Sequence, residues 1–533
     1  MKRQSVLIGA LLLAAGGLIA KFVGALYKIP LTNILGTNGM GLYYLVFPFY
    51  SLLLVLISSG VSLAVSRLVS LERINKNKRN EIIIFKTSLL YVFCLSLVFA
   101  FSLVFLSGNL ATLQGNVNAK LGYVAIAPSI IFASLIAAIR GYFQGQENMV
   151  PTLVNNILEQ IVKLVAGLIL ANLFLKKGIM FAVFGAILGV TISEFFALIL
   201  IVANYLIYKH KFIYKIETPK SPNLTYGQAL KKIVCYAYPA TLSAIIVPIT
   251  SFLDSFLIIN ILTNAGFSSL QATNLYGISN GIINTLINLP VLLCASLATA
   301  IVPNLSGLYA KNNFNEVRFK TSFFIKITWI IALPCFLVFL IFSVDIINIL
   351  YSKGLSDLVI DEFTFSCKLL MISSVSILYY AFLQTFTSIL QSVNKPIVPF
   401  VSMFVALLFR TAGIFVFVCI PSINIFGVAI SNLIFLSVAT IINLIYIKKY
   451  VALKFDFVKI LISPTASALI SGVVMYFLRM SLINLNVWVY LIISAGVGLI
   501  CYLTLIFVFK TFNSNEMKVF NKKNIIGNKT KQV

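Results

Sequence analysis

Apolar runs long enough to cross a lipid bilayer recur along almost the whole chain, and no polar gap between them is long enough to hold a folded soluble domain. A helix needs about 20 apolar residues to span the hydrocarbon core. By that measure about fourteen segments stand out, centred on 6–28, 42–66, 83–106, 121–140, 156–175, 179–206, 233–261, 275–304, 322–349, 367–391, 399–420, 426–446, 459–478 and 488–509. The longest polar stretches are 207–232 and the end of the chain from 511. Hydrophobic residues make up 60% of the 533 and charged residues 10%, whereas a soluble domain is roughly a quarter charged. A soluble enzyme and a disordered chain are both excluded. The expected fold is an all-α polytopic membrane protein, because helices satisfy their own backbone groups inside lipid. Met1-Lys2-Arg3-Gln4 ahead of an apolar run resembles a signal peptide. The run continues through Phe22–Tyr27 without a small-residue cleavage site, so an uncleaved first helix is expected.

Lys and Arg number 40 against 14 Asp and Glu, a net charge of +26. In a soluble chain that excess would suggest nucleic acid; here its distribution gives orientation. With fourteen crossings, 28 cations fall on the side holding both termini and five (Lys120, Lys176, Lys177, Lys353, Arg479) on the other. The positive-inside rule then puts both termini in the cytoplasm, and the expected location is a bacterial cytoplasmic membrane. Nucleic acid is not an expected partner. The seven cysteines lie apart in apolar runs, no CxxC occurs, and His210 is the single histidine. That pattern offers no zinc, haem or disulfide framework, so no cofactor is expected.

The two halves resemble each other at a spacing near 240 residues. Leu206-Ile207-Tyr208-Lys209 closes segment six as Leu444-Ile445-Tyr446 closes segment twelve, and Phe184-Gly185 and Phe426-Gly427 open them. Leu42-Tyr43 matches Leu275-Tyr276 in segments two and eight. Gln144-Gly145…Pro151 with Lys163 and Gly167 matches Gln391-Ser392…Pro399 with Arg410 and Gly413. Both halves begin on the same side, so the repeat is parallel, a transporter design with a substrate site between the halves. The expected organisation is an N-lobe at 1–210, a cytoplasmic linker at 211–232, a C-lobe at 233–450, two extra helices at 451–510 and a basic tail at 511–533.

A charge at the bilayer centre costs at least about 2.5–3.5 kcal/mol, so each intramembrane charge needs a reason. Lys86, Lys326, Asp345 and Lys368 lie near segment ends and are expected to snorkel. Lys21 and Lys28 are seven apart on nearly one face of segment one. Lys21 is mid-helix and reads as a cavity cation or an ion-paired packing residue; Lys28 is open to snorkelling. Arg67 closes segment two, as an anchor or a cavity cation. Glu159 and Lys163 are spaced i,i+4 in the order that favours a same-face ion pair. Glu194 has no sequence-local partner, while Asp254 and Arg410 are buried candidates for a pair across the second half. Asp254 or Glu194 could instead titrate or bind a cation to drive transport. Interior prolines, among them Pro48, Pro128, Pro239, Pro248 and Pro290, predict bent helices.

Several phrases are more specific. Gly141-Tyr142-Phe143-Gln144-Gly145, Asn148-Met149-Val150-Pro151-Thr152 and Glu159-Gln160 with Lys163 form one. Ala64-Val65-Ser66-Arg67-Leu68-Val69-Ser70 and Leu275-Tyr276-Gly277…Leu289-Pro290 are others. With the helix count and the parallel repeat, the chain resembles the MOP flippase superfamily in its stage V sporulation protein B / YtgP branch, which is similar to the MurJ lipid II flippases. The resemblance spans roughly 1–510. It implies a MATE/MurJ-like fold: two six-helix lobes, a cationic central cavity lined by helices 1, 2, 7 and 8, and a lipid-tail groove from the last two helices. It implies export, by a monomer, of an undecaprenyl-pyrophosphate-linked precursor, with lipid II leading, and Lys21, Lys28, Arg67 and Asp254 at the cavity. The partners it implies are that lipid-linked oligosaccharide, with its anionic pyrophosphate, and membrane lipid. Glu159, Lys163, Glu194 and Arg410 are the ion-pair or coupling candidates. Where MurJ proteins carry an Asp-Arg pair, this chain has Gly277-Ile278, and Arg410 stands where sodium-binding relatives place oxygen ligands. Another lipid-linked glycan, a spore-cortex precursor and, below these, a multidrug or cation antiporter remain alternatives. A polymerase or ligase would need a long outward catalytic loop, and the longest here, about 350–366, holds only Asp357, Asp361 and Glu362 as acids.

Overall fold

In a computed structural model, described for residues 6–212, 222–355, 361–452, 458–512 and Glu516, every regular element is helical. Lys2, Arg3, residues 213–221 of the linker, Asp357 and the basic tail beyond Glu516 lie outside the described residues. The helices are α1 (Val6–Leu54), α2 (Gly60–Ile74), α3 (Lys78–Leu113), α4 (Lys120–Gly145), α5 (Val150–Leu175), α6 (Ile179–Phe212), α7 (Tyr226–Ala244), α8 (Ile246–Asn264) and α9 (Ser269–Gly277). Then follow α10 (Asn284–Ala310), α11 (Phe314–Ile341), α12 (Ser343–Tyr351), α13 (Glu362–Ser392), α14 (Ile397–Phe417), α15 (Phe426–Val451), α16 (Ser463–Ser481) and α17 (Val487–Val508).

Thirteen helical stretches among the described residues are long and apolar enough to cross a membrane. The first, Ile19–Ile74, has 56 residues, more than twice what one crossing needs. Its backbone leaves the helical region at Gly36 (φ 64, ψ −177), so α1 consists of two arms, 6–35 and 37–54. Residues 28 and 44 would stand about 24 Å apart along a straight helix. Lys28 Nζ instead lies 5.1 Å from the centre of the Tyr44 ring. The chain therefore doubles back at Gly36, in a region of φ/ψ open essentially to glycine alone. Counted as two arms, α1 brings the thirteen stretches to the fourteen expected crossings.

The seventh expected segment is broken between α7 and α8 at Ile245. Pro248 has no N–H to donate to the Ala244 carbonyl four residues back, and the helix parts where that bond is missing. The eighth contains a π-helical turn at Ile278–Ile283 between α9 and α10, and the second contains one at Val55–Ser59. Ser268 caps α9 through a reciprocal pair of hydrogen bonds with Gln271.

The chain packs as two compact units. One comprises Met1–Thr285, Tyr351–Glu362 and Ile414–Val428; the other comprises Leu286–Leu350, Phe363–Gly413 and Ala429–Val533. In the first, α5 packs along α6, α4 packs on both α3 and α6, and the α1 arms contact α5 and α9. Close approach matters there, because helices in lipid associate through tight packing rather than water exclusion. In the second, α16 and α17 lie together against α11, around Leu333, Leu337, Ala468, Tyr502 and Ile506.

Candidate functional site

The α1 hairpin brings a lysine-bearing first arm against an aromatic second arm. On the second arm Tyr43, Phe47 and Tyr50 form a ladder, with Tyr43 and Phe47 stacked at 5.0 Å and Phe47 edge-on to Tyr50 at 5.5 Å. Lys28 stands over Tyr44 at 5.1 Å, and Lys163, arriving from α5, stands over Phe47 at 5.0 Å. Tyr44 and Phe47 are one turn apart on the same arm, so two ammonium groups meet neighbouring rings. A cation over a ring face gains about 0.5–2 kcal/mol, the larger value when desolvated.

The expected Glu159–Lys163 ion pair is corrected. Glu159 Oε2 instead accepts from Arg140 Nη2 of α4 at 2.8 Å, and its Oε1 accepts from Gln160 at 3.0 Å. Turned to match both its neighbours, the Asn155 amide accepts from Arg140 at 2.9 Å and donates to the Ala197 carbonyl at 2.6 Å. Nη2 of Arg140 thus serves two acceptors at once, the Glu159 carboxylate and the Asn155 amide oxygen. Lys163 keeps only the more distant attraction of Glu159 and Glu194. Glu194, buried on α6, is not alone: it lies within electrostatic reach of Glu159, Arg140 and Lys163 and beside Tyr50 of the second α1 arm.

Of the expected site residues, the fold thus gathers Lys28, Glu159, Lys163 and Glu194 into one cluster, with Arg140 added. Lys21 lies two turns before Lys28 with its side chain exposed, and Arg67 on α2 is exposed with its guanidinium 4.6 Å above the Tyr236 ring. Asp254 is buried in α8 of the first unit, and Arg410 is buried in α14 of the second. Arg140, Asn155 and Tyr50 are members of this cluster that sequence reasoning missed. Arg140 looked like an orientation cation at a segment end. Its place immediately before the Gly141–Gly145 phrase was the signal available. Gly277, where the Asp-Arg pair is absent, packs so tightly on the α1 turn that an added Cβ would fall 1.9 Å from the Thr37 carbonyl oxygen. The position serves close packing. No group of three His, Cys, Asp or Glu side chains suited to a metal ion occurs among the described residues.

Two of the four residues expected to snorkel do otherwise. Lys86 and Lys368 are exposed. Lys326, however, is 2% exposed and donates to Glu516 at 2.8 and 2.9 Å and to the Thr511 carbonyl at 3.0 Å. Asp345 is buried, ion-paired with Arg479 at 2.7 Å and hydrogen-bonded by Tyr490. One buried pair thus ties α11 to the residues after α17, and the other ties α12 to α16 and α17. Between them Trp329 donates to Thr465 at 3.1 Å and Tyr502 to the Ile330 carbonyl at 2.9 Å.

Comparison with known proteins agrees with this architecture. The polysaccharide biosynthesis protein family matches residues 6–309, and the MatE family matches 239–416. Stage V sporulation protein B of Bacillus subtilis (strain 168) is 24% identical over 97% of this chain and 98% of its own length. Lipid II flippase MurJ of the same organism is 23% identical over 58% of this chain and 59% of its own. Among solved structures, lipid II flippase MurJ in an inward closed conformation superposes with a TM-score of 0.71 at 17% identity, covering 94% of this chain and 99% of that one. An inward-facing multidrug resistance MATE transporter of the MOP superfamily gives 0.63 at 15% identity, over 81% and 94%. The fold is therefore MATE/MurJ-like and the chain a multi-pass membrane transporter rather than an enzyme. With more than half of its length matched, it belongs to the polysaccharide biosynthesis protein family, in the MOP flippase superfamily.

Proposed function

We propose that the protein exports an undecaprenyl-pyrophosphate-linked cell-wall precursor, with lipid II as the leading cargo, across the bacterial cytoplasmic membrane by alternating access. The observation that carries this reading is the positive interior of the α1 hairpin, with Lys28 held half-buried over Tyr44 and Lys163 over Phe47. A pyrophosphate is a doubly charged anion, and a low-dielectric passage is closed to it unless fixed cations take the place of water. Lys21 and Arg67, exposed on α1 and α2, extend the positive surface an arriving headgroup would meet. Both termini are cytoplasmic in this reading, lobes 1–210 and 233–450 are the alternating bodies, and the protein works as a monomer. The last two helices carry the lipid tail. Glu194 and Asp254, both buried carboxyls, are the candidates for coupling to an ion.

A second cargo is favoured by one observation. Stage V sporulation protein B aligns along 97% of this chain, whereas MurJ aligns along 58%. A lipid-linked precursor used in the spore cortex is therefore the runner-up. Complementation tests the reading. In a bacterium depleted of its lipid II flippase, the chain is expected to restore growth, and Lys28→Ala to lose that rescue at equal membrane abundance. Failure of the intact chain to rescue, at normal abundance, counts against lipid II and leaves the second cargo.

A further inference from the structure

We infer that Lys163 and Lys28, with the hydroxyls of Tyr27, Tyr44 and Tyr351, form an oxyanion site inside the first unit that takes a phosphate or pyrophosphate group. The inference rests on the function proposed above for its cargo, and it adds to the helix 1 and 2 cations a ligand from α5 and three phenols.

The charges in this part of the fold are paired off unequally. Arg140 and Glu159 neutralise each other, and Glu194 lies within electrostatic reach of Arg140. Lys28 and Lys163 have ring faces for partners and no carboxylate within ion-pair distance among the described residues. They also lie within electrostatic reach of each other, where like charges repel. Two ammonium groups near one another, with no carboxylate in contact with either, are costly in a low-dielectric interior. A bound anion between them removes that cost.

The hydroxyls point to the same chemistry. Tyr27 is 1% exposed and Tyr351 0% exposed. Their phenol oxygens, and that of Tyr44, are buried without a hydrogen-bond partner among the described residues. Buried polar atoms of that kind are rare, and each needs a partner from somewhere. The three belong to one neighbourhood, since Tyr27 and Tyr351 each lie within electrostatic reach of Tyr44. Tyr44 is the ring that Lys28 covers. The Tyr27 hydroxyl sits against Gly167 of α5, where an added Cβ would be 2.4 Å from it, one turn beyond Lys163 on the same helix face. Ammonium groups and phenols present N–H and O–H donors, and a phosphate group offers only acceptors to them.

The test uses the full-length protein in detergent and radiolabelled inorganic pyrophosphate as the probe. Wild-type protein is expected to bind it. Lys163→Gln is expected to weaken binding tenfold or more, with Lys163→Arg retaining most of it and Tyr27→Phe giving an intermediate loss. A monodisperse elution profile and unchanged melting temperature are required of each variant. Should Lys163→Gln fail that requirement, Tyr27→Phe, which removes one oxygen, carries the test. Pyrophosphate binding that is absent in the wild type, or unchanged in both variants, overturns the site. Displacement of the probe by lipid II supplied in nanodiscs assigns the site to the lipid headgroup. Displacement by inorganic phosphate but not by lipid II keeps the oxyanion site, assigns it to the free anion, and removes the cargo reading alone.

Discussion

The ion pair between Lys326 and Glu516 offers a direct check on how the last helices are held. The Lys326 ammonium has three donors, and the fold supplies an acceptor for each: two Glu516 oxygens at 2.9 and 2.8 Å and the Thr511 carbonyl at 3.0 Å. Side-chain exposure is 2% for the lysine and 6% for the glutamate, so solvent screens little of the interaction. Glu516→Gln removes the countercharge and leaves a buried cation, a loss of about 3–5 kcal/mol for a pair broken on one side. Replacing both groups, as Lys326→Met with Glu516→Gln, removes the stranded charge as well. The double variant is expected to lie within about 1–2 kcal/mol of wild type. Unfolding in mixed micelles measures both, and hydrogen exchange over α16 and α17 reports whether the loss is local to them. A Glu516→Gln protein within about 0.5 kcal/mol of wild type, the range of an ordinary surface substitution, would refute the reasoning. So would single losses that simply add in the double variant.

Three further outcomes are expected. Gly36→Ala places a side chain at φ 64 and ψ −177, where its Cβ would make only ordinary contact with Gly354 at 3.5 Å, so the cost is of backbone origin. Unfolding should show about 2 kcal/mol lost, whereas Gly17→Ala, in the helical arm with nothing within 4 Å, should be neutral or gain up to about 1 kcal/mol. Asp345→Asn removes the countercharge of Arg479 at a site 6% exposed; thermal unfolding should show a loss of about 2–3 kcal/mol, and equal stability would contradict the pairing. Glu159→Gln strands Arg140 rather than Lys163. It should therefore cost about 2 kcal/mol, be relieved by adding Arg140→Gln, and gain less relief from adding Lys163→Gln.

The crossings were legible because the bilayer imposes a length on every apolar run, and all fourteen expected segments correspond to helix in the structure. The fold-back at Gly36 was legible only as a change of segment, since a glycine within apolar sequence does not announce a positive φ. The break at Ile245 follows from Pro248, which was visible as a kink without a position for the break. Ion-pair partners were the least legible. The i,i+4 rule for Glu159 and Lys163 counts only neighbours on one helix. In the folded bundle Arg140, nineteen positions earlier, wins the carboxylate. Lys326 and Asp345 looked able to snorkel because their partners, Glu516 and Arg479, lie 190 and 134 positions away in sequence. The convergence of Lys28 and Lys163 likewise exists only once α5 has packed on the α1 arms.

The claim that the protein moves a pyrophosphate-linked lipid is tested most directly by translocation of labelled lipid II in proteoliposomes. The reconstituted wild-type chain is expected to move lipid II from one leaflet to the other, and Lys28→Ala, folded and inserted to the same extent, is not. Lipid II movement no faster than in protein-free vesicles, or movement that Lys28→Ala leaves intact, would contradict it.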